Sequence, residues 1–568
     1  MDDLPDALNR LAARLETLER RVEALEHPSG APLAVPTLQP IPSQAPQPGD
    51  TLAVALAGGA FQVLGKAMLG IAGAYLLRAV AESTSLPKLG VAAIAIAYAM
   101  FWLVAATRAP AGAWFASTTY ACTSALILAP MLWELTLRFN VLPATATAGV
   151  LGAFVCAASA LAWKRNLASV FWVANATAAL VAVALSIATH QVAPFIAALL
   201  LMVLLCEYAA DRNRGLGVRF LVAAAADAAI WALIFIYSSP QSTRADYPLL
   251  GTAALLAPGF ILFAIYGVSV AVKTALLRQK ITAFETVQTT IAFLLAASSL
   301  LYFEPRGGAV VLGVVCLVLS AASYAAVFAF FDRAPERRNY RVFSTWSAAL
   351  LLAGSVLCLP PLWRSASLGA ASVVATFLGV RLSRRALEFH GLAYLLAAAV
   401  ASGLLEYVFR ALAGTLPGAP SMSVCVVSAC AVLCYAAGKP CRGELWTEQV
   451  LPFVSATLAI GATAALLVEG LMGLLGQMAL SGNPGPHHLA FIRTLTICAA
   501  ALALAFSGAH WRRMELTRIG YATLMLVAAK LVFEDLRHGH LEFIAASIFL
   551  FAVTLIAVPR IARMGQKV

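Results

Sequence analysis

The chain has 568 residues, 61% of them apolar and only 12% charged, with a net charge of +12. Soluble domains usually carry about twice that charge, so the composition excludes a soluble globular protein and makes lipid the solvent for most of the chain. No basic run points to nucleic acid, and the positive excess is the inward-loop bias of a polytopic protein whose expected partner is the lipid bilayer.

The N-terminus opens on a charged helix instead of an apolar h-region, so no signal peptide is expected. Leu4, Leu8, Leu11, Leu15, Leu18, Val22 and Leu25 alternate in steps of four and three. That is a heptad seam, and Arg14 and Arg21 at g face Glu19 and Glu26 at e in a parallel pairing. Residues 1–27 are therefore expected to form a cytoplasmic coiled coil, and residues 4–26 to join copies of the chain in a homo-oligomer. Residues 28–50 are Pro-rich, a composition that gives an extended linker.

From residue 51 to 560 about eighteen apolar stretches follow one another, each near the roughly 20 residues that cross a bilayer. The predicted fold class is an all-α, polytopic transmembrane helix bundle of about eighteen spans behind a short coiled coil, with residues 561–568 as a tail. Of the 39 Lys and Arg, 23 fall in even-numbered loops and the C-terminal tail and only 7 in odd-numbered loops. Lys and Arg gather in cytoplasmic loops. Both termini are thus expected in the cytoplasm, with the odd loops outside and an even number of spans.

The first span, 52–81, is interrupted by Gln62 and Lys66 and ends in the rim residues Arg78 and Glu82. Asp227 sits near the centre of the seventh, 216–237. A charge at that depth costs at least about 2.5 kcal/mol, so it needs a partner, a wet cavity or a proton. Pro258-Gly259 in the eighth span, 249–272, offers a place where a helix could break, and a broken helix beside a mid-membrane acid marks an ion or solute pathway. Acid–base pairs recur at outer rims, among them Glu134/Arg138 and Glu406/Arg410.

The last four spans carry a second polar group. Glu469 and Arg493 lie at matching depth in spans 448–475 and 488–508 and are expected to form an ion pair. Lys530, Glu534 and Asp535 close span 514–534, and His487, His488, His538 and His540 sit in the neighbouring outer loops. Imidazoles and carboxylates can hold zinc or relay protons, but no HExxH or comparable spacing occurs, so the default reading is loop polarity. The ten Cys lie in or beside spans. Cys425, Cys430, Cys434 and Cys441 are the densest group, yet no CxxC occurs, and they read as buried thiols. No metal and no cofactor is expected.

The runs Arg518-Ile519-Gly520 and Lys530-Leu531-Val532-Phe533-Glu534-Asp535-Leu536 have a familiar form. So do Gly65-Lys66 through Leu76-Leu77-Arg78 with Glu82, and the coil joined by a Pro-rich spacer to many spans. In layout and in these motifs the chain resembles a family of predicted bacterial polytopic membrane proteins of unknown function. In that family a Lys-x(4)-Asp pattern closes the penultimate helix, which Lys530 and Asp535 match, and a basic-then-acidic pair ends the first span, which Arg78 and Glu82 match. The resemblance implies the bacterial inner membrane and supplies no activity.

Three function classes remain. Many spans, short loops and Asp227 favour a transporter, channel or lipid-handling protein for a small or lipid-linked solute. The coil favours a scaffold or sensor. A membrane enzyme acting on a lipid-linked substrate at the outer face ranks last, because no GxSxG, Walker A or zinc motif is present and no catalytic residue is assigned.

Overall fold

A computed structural model describes residues 48–83, 87–110, 113–212, 216–240, 245–331, 337–416, 418–438, 446–478, 486–535 and 540–564. The coil and most of the linker lie outside the described residues. Two units are distinguished, residues 1–63 and 64–568; the described part of the first is the opening stretch of one helix, and all else belongs to the second.

Among the described residues there are nineteen α-helices and no strand. They are α1 Pro48–Ser83, α2 Lys88–Thr107, α3 Trp114–Trp133, α4 Ala144–Arg165, α5 Ala168–Ala188, α6 Val192–Ala210, α7 Leu216–Ser238, α8 Thr252–Ala271, α9 Ala283–Phe303 and α10 Gly308–Ala326. There follow α11 Arg337–Cys358, α12 Pro361–Leu382, α13 Arg385–Ala401, α14 Leu404–Ala413, α15 Met422–Ala437, α16 Trp446–Met478, α17 Pro486–His510, α18 Met514–Lys530 and α19 Leu541–Met564. Helix is the form that satisfies every backbone N–H and C=O within one segment, which hydrocarbon demands.

Each expected apolar stretch is helical. Among the described residues fifteen helices are long and apolar enough to cross a membrane, or sixteen if one bent pair is a single span. α15 has only 16 residues, short of a full crossing. The stretch expected as a straight span at 387–409 is instead α13 and α14, bent by 66° at Gly403, whose φ is +74°. Glycine enters that left-handed region without the Cβ penalty.

Four helices end in a five-residue π turn: Glu134–Arg138 after α3, Val272–Leu276 after α8, Val327–Phe331 after α10 and Leu531–Asp535 after α18. The bonds Phe139 N–H to Glu134 O (2.8 Å) and Leu277 N–H to Val272 O (3.0 Å) show the widened i to i+5 ladder.

The largest apolar core is shared by α2 to α9 and is rich in Ala. A second core joins α11 to α16. Small residues let backbones approach closely where lipid supplies no hydrophobic drive. At the α10–α11 crossing, a Cβ on Gly354 would meet Gly313 O at 2.8 Å.

Candidate functional site

The most densely charged site sits where α6 ends, α7 begins, α8 ends and α9 begins, the end of the bundle that carries even-numbered loops. Arg219 of α7 donates from Nε to Glu207 Oε1 (2.5 Å) and from Nη2 to Glu207 Oε2 (2.8 Å), a bidentate fork. The same guanidinium lies 3.3 Å from Glu285 Oε1 on α9 and stacks over the Phe284 ring. Lys273, in the π turn after α8, reaches Glu285 Oε1 at 2.7 Å and Asp211 Oδ1 at 3.1 Å. Ser269 donates to Glu207 Oε2 at 2.8 Å. Glu285 also closes a capping box at the start of α9: Thr282 N–H donates to Glu285 Oε2, and Glu285 N–H to the Thr282 hydroxyl. Glu207, Arg219, Lys273 and Glu285 are all buried. Buried charges persist only when paired and hydrogen-bonded, and here two cations meet three carboxylates.

The sequence alone does not single out these five charged residues, because Arg219 and Lys273 stand at span boundaries among the cations of even-numbered loops. One signal was available. Glu207 and Asp211 are four apart, one helical turn, in an otherwise apolar span, and Thr282-x-x-Glu285 is a capping-box pattern.

Asp227 lies two helical turns beyond Arg219 on α7. It is half-buried, and Gln288 Nε2 lies 2.8 Å from each of its carboxylate oxygens. Gln288 stands one turn beyond Glu285, so Asp227 continues the polar seam of the network. The expected break at Pro258-Gly259 is corrected: α8 runs through both residues. Both are buried, and a Cβ on Gly259 would meet the Ala296 backbone of α9 at 3.0 Å. The glycine serves close packing, and the break in the bundle lies at Gly403.

In a second cluster, α17, α18 and the π turn after α18 bring Arg493, Lys530, Glu534 and Asp535 together. The expected Glu469–Arg493 pair is not formed. Arg493 donates from Nε to Ala411 O (2.6 Å) and from Nη2 to Arg410 O (2.9 Å) and to Gly414 O, while Nη1 meets Glu534 Oε1 at 2.6 Å. The last carbonyls of any helix lack intrahelical partners, and α14 ends within the bundle, so the guanidinium is drawn to that negative pole. Lys530 Nζ donates to Ala490 O (2.8 Å), to the Thr494 hydroxyl (2.8 Å) and to Asp535 Oδ1 (2.5 Å), and Thr494 in turn donates to Asp535 Oδ2 (2.7 Å). The widened π turn lets residues five apart share this face.

A cavity of about 560 Å³ opens onto this cluster, lined by Arg493, Lys530 and Glu534 and by the apolar Leu412, Leu526 and Phe533. Phe533 is 75% exposed and Leu526 52%, so one wall of the cavity continues into the lipid-facing surface. All three Lys530 protons are engaged, and so are most of those of Arg493. Glu534, with its side chain 24% exposed, lines the same cavity and is paired with both Arg493 and Lys530.

His487, His488 and His540 gather around Phe543, with ring centroids 4.2 Å apart for His487–His488 and 4.6 Å for His487–His540. His538 lies outside the described residues. Among the described residues no group of three or more His, Cys, Asp or Glu side chains is arranged to hold a metal ion. At the first-span rim Arg78 meets Glu134 of the α3 π turn at 2.8 Å; the side chain of Glu82 lies outside the described residues. Glu406 and Arg410 pair at 3.8 Å on the exposed side of α14.

No family model matches the chain, and no curated protein and no solved structure matches it either. The fold and the charged seams themselves therefore define it: a many-span, all-helical integral membrane protein with a buried network of charged side chains.

Proposed function

We propose that the protein is a transporter or lipid-handling protein whose substrate is an amphiphile with a hydroxyl-bearing headgroup, taken up laterally from the bilayer into the cavity between α14, α17 and α18. The observation that supports this is the cavity itself: apolar on the side continuous with lipid, and polar at the Arg493–Lys530–Glu534 floor. Among the described residues the floor holds two cations and, with Asp535, two carboxylates, a balance that suits a neutral headgroup. A carboxylate held by two cations still offers lone pairs to hydroxyl donors. By the loop-charge bias this cavity faces outward and both termini lie in the cytoplasm, in the inner membrane that the sequence resemblance implies.

The test is photo-crosslinking in vesicles with a glycolipid that carries a diazirine in its acyl chain near the headgroup. Labelling is expected at Leu526 and Phe533 above the level at Phe549 of α19, which is more exposed than Leu526 and about as exposed as Phe533. Glu534→Gln should weaken that excess roughly tenfold, the loss of a charged hydrogen-bond acceptor. Equal labelling at all three positions would refute the site.

A second reading, a membrane scaffold or sensor assembled through residues 4–26, is favoured by the heptad seam. The same experiment separates them: deletion of residues 1–27 leaves the labelling intact if the cavity acts alone, and removes it if binding depends on assembly. A membrane enzyme acting at the outer face would use the same cavity, but its lining holds no nucleophile–base pair.

A further inference from the structure

The discontinuous span has a second consequence, independent of the amphiphile cavity. Tyr407 lies one turn past the break, its N–H bonded to Gly403 O at 2.9 Å. Its side chain is only 7% exposed, and its hydroxyl has no hydrogen-bond partner among the described residues. Glu469 stands on α16, the helix packed against α14. Its Oε2 is likewise enclosed and without a partner among the described residues. Tyr407 shares a core with Ala462 and Ala465 of α16, and Glu469 stands one helical turn beyond Ala465 on that helix.

Two enclosed polar groups on packed helices, each unsatisfied among the described residues, are costly in any protein interior and more so in hydrocarbon. The cation that this end of the bundle could have supplied, Arg493, is committed to the α14 carbonyls and to Glu534. Lys530 is committed to Asp535 and Ala490. Of the other helices packed on α16, α13 meets it with Leu395 against Ala459, α18 with Leu516 against Ala456, and α15 with Tyr435 beside that last pair. Among the described residues no cation pairs with Glu469.

We propose that Glu469 and Tyr407 form a binding site for one monovalent cation, H⁺ or Na⁺, beside the break between α13 and α14. Either ion supplies the single positive charge the carboxylate lacks. A proton turns Glu469 into a donor that the tyrosine oxygen can accept. Sodium is coordinated by the carboxylate and phenol oxygens together. Broken helices recur at ion sites because unwound backbone and helix ends offer partial charges there, and Gly403 provides the hinge for binding to be felt along α14.

The experiment uses the full-length protein in vesicles and dicyclohexylcarbodiimide, which modifies protonated carboxyl groups in apolar surroundings. Modification at Glu469 is followed by peptide mass while pH and sodium are varied separately. For a sodium site, labelling falls as sodium rises at fixed pH. For a proton site, sodium is without effect and labelling falls only as pH rises. Tyr407→Phe is expected to move the midpoint of that fall about fivefold, the effect of one hydrogen bond or ligand, without changing the melting temperature by more than a few degrees. Glu469 unlabelled under every condition, or labelled at a rate that neither pH nor sodium alters, overturns the site. An unchanged midpoint in Tyr407→Phe overturns the pairing.

Discussion

Arg219 answers two carboxylates and an aromatic ring at once, which only a planar guanidinium can do. Replacing one partner of a buried ion pair leaves the other charged and unsatisfied, at about 3–5 kcal/mol. Arg219→Gln takes the bidentate partner from Glu207 and leaves it Ser269 and, at 3.7 Å, Lys273, so the purified protein is expected to melt below the native chain by up to that loss. The double variant Arg219→Gln, Glu207→Gln should recover most of it, because both charges are gone. A single variant that melts like the native protein would show that the network contributes nothing to stability. Arg219 is also where residue-level legibility failed. A cation at a span boundary is counted as a loop charge, and composition does not tell a solvated arginine from one drawn inward by acids on neighbouring helices. Asp227, in contrast, stood out because it interrupts a run of Ala and Ile. Its partner Gln288 could not be named, since pairing across 61 residues is set by helix packing.

At the scale of elements the deviations from straight α-helix are where the polar chemistry collects. Three of the four π turns carry charged residues of the described ion pairs: Glu134, Lys273, and the pair Glu534 and Asp535. In an α-helix, residues five apart point about 140° away from each other at 3.6 residues per turn. A π turn brings them together, and Lys530 and Asp535 are five apart and bonded. That gives the Lys-x(4)-Asp spacing a physical meaning which spacing alone could not reveal. The break at Gly403 was hidden for a different reason. The apolar run continues through Ser402 and Gly403, whereas Pro258 looked like a breaker and is absorbed by a continuous α8. Helix existence follows from apolar length; local bends follow from single φ angles. Gly403→Ala tests the bend alone, because an added Cβ there meets nothing within 4 Å. The strain of a non-glycine residue in the left-handed region, about 1–2 kcal/mol, is expected to appear as a lower melting temperature. An unchanged melting temperature would mean the bend is not held by that angle.

Across the whole molecule, the course of the chain at α13–α14 decides whether the second charged cluster faces the same side as the first or the opposite one. If the bent pair crosses the membrane, and α1 and α15 cross as well, the number of spans is even and both termini share one side. In that case Arg381, Arg384 and Arg385 before α13 lie on the same side as Lys439, Arg442, Arg512, Arg513 and the C-terminal Arg560, Arg563 and Lys567. If the pair enters and returns on one side, every later basic loop flips outward, against the bias that places Lys and Arg inside. The charge pattern thus favours a broken crossing, a conclusion the helices themselves, by length and composition, leave at fifteen or sixteen spans. Fusions of a fluorescent reporter that matures only in the cytoplasm are the direct measurement. Fluorescence is expected after Arg442 and after Val568, with none after Gly418. Fluorescence after Gly418 and darkness after Arg442 would make α13–α14 re-entrant. It would also turn the Arg493–Glu534 cavity towards the cytoplasm, so that its amphiphile would have to come from the inner leaflet.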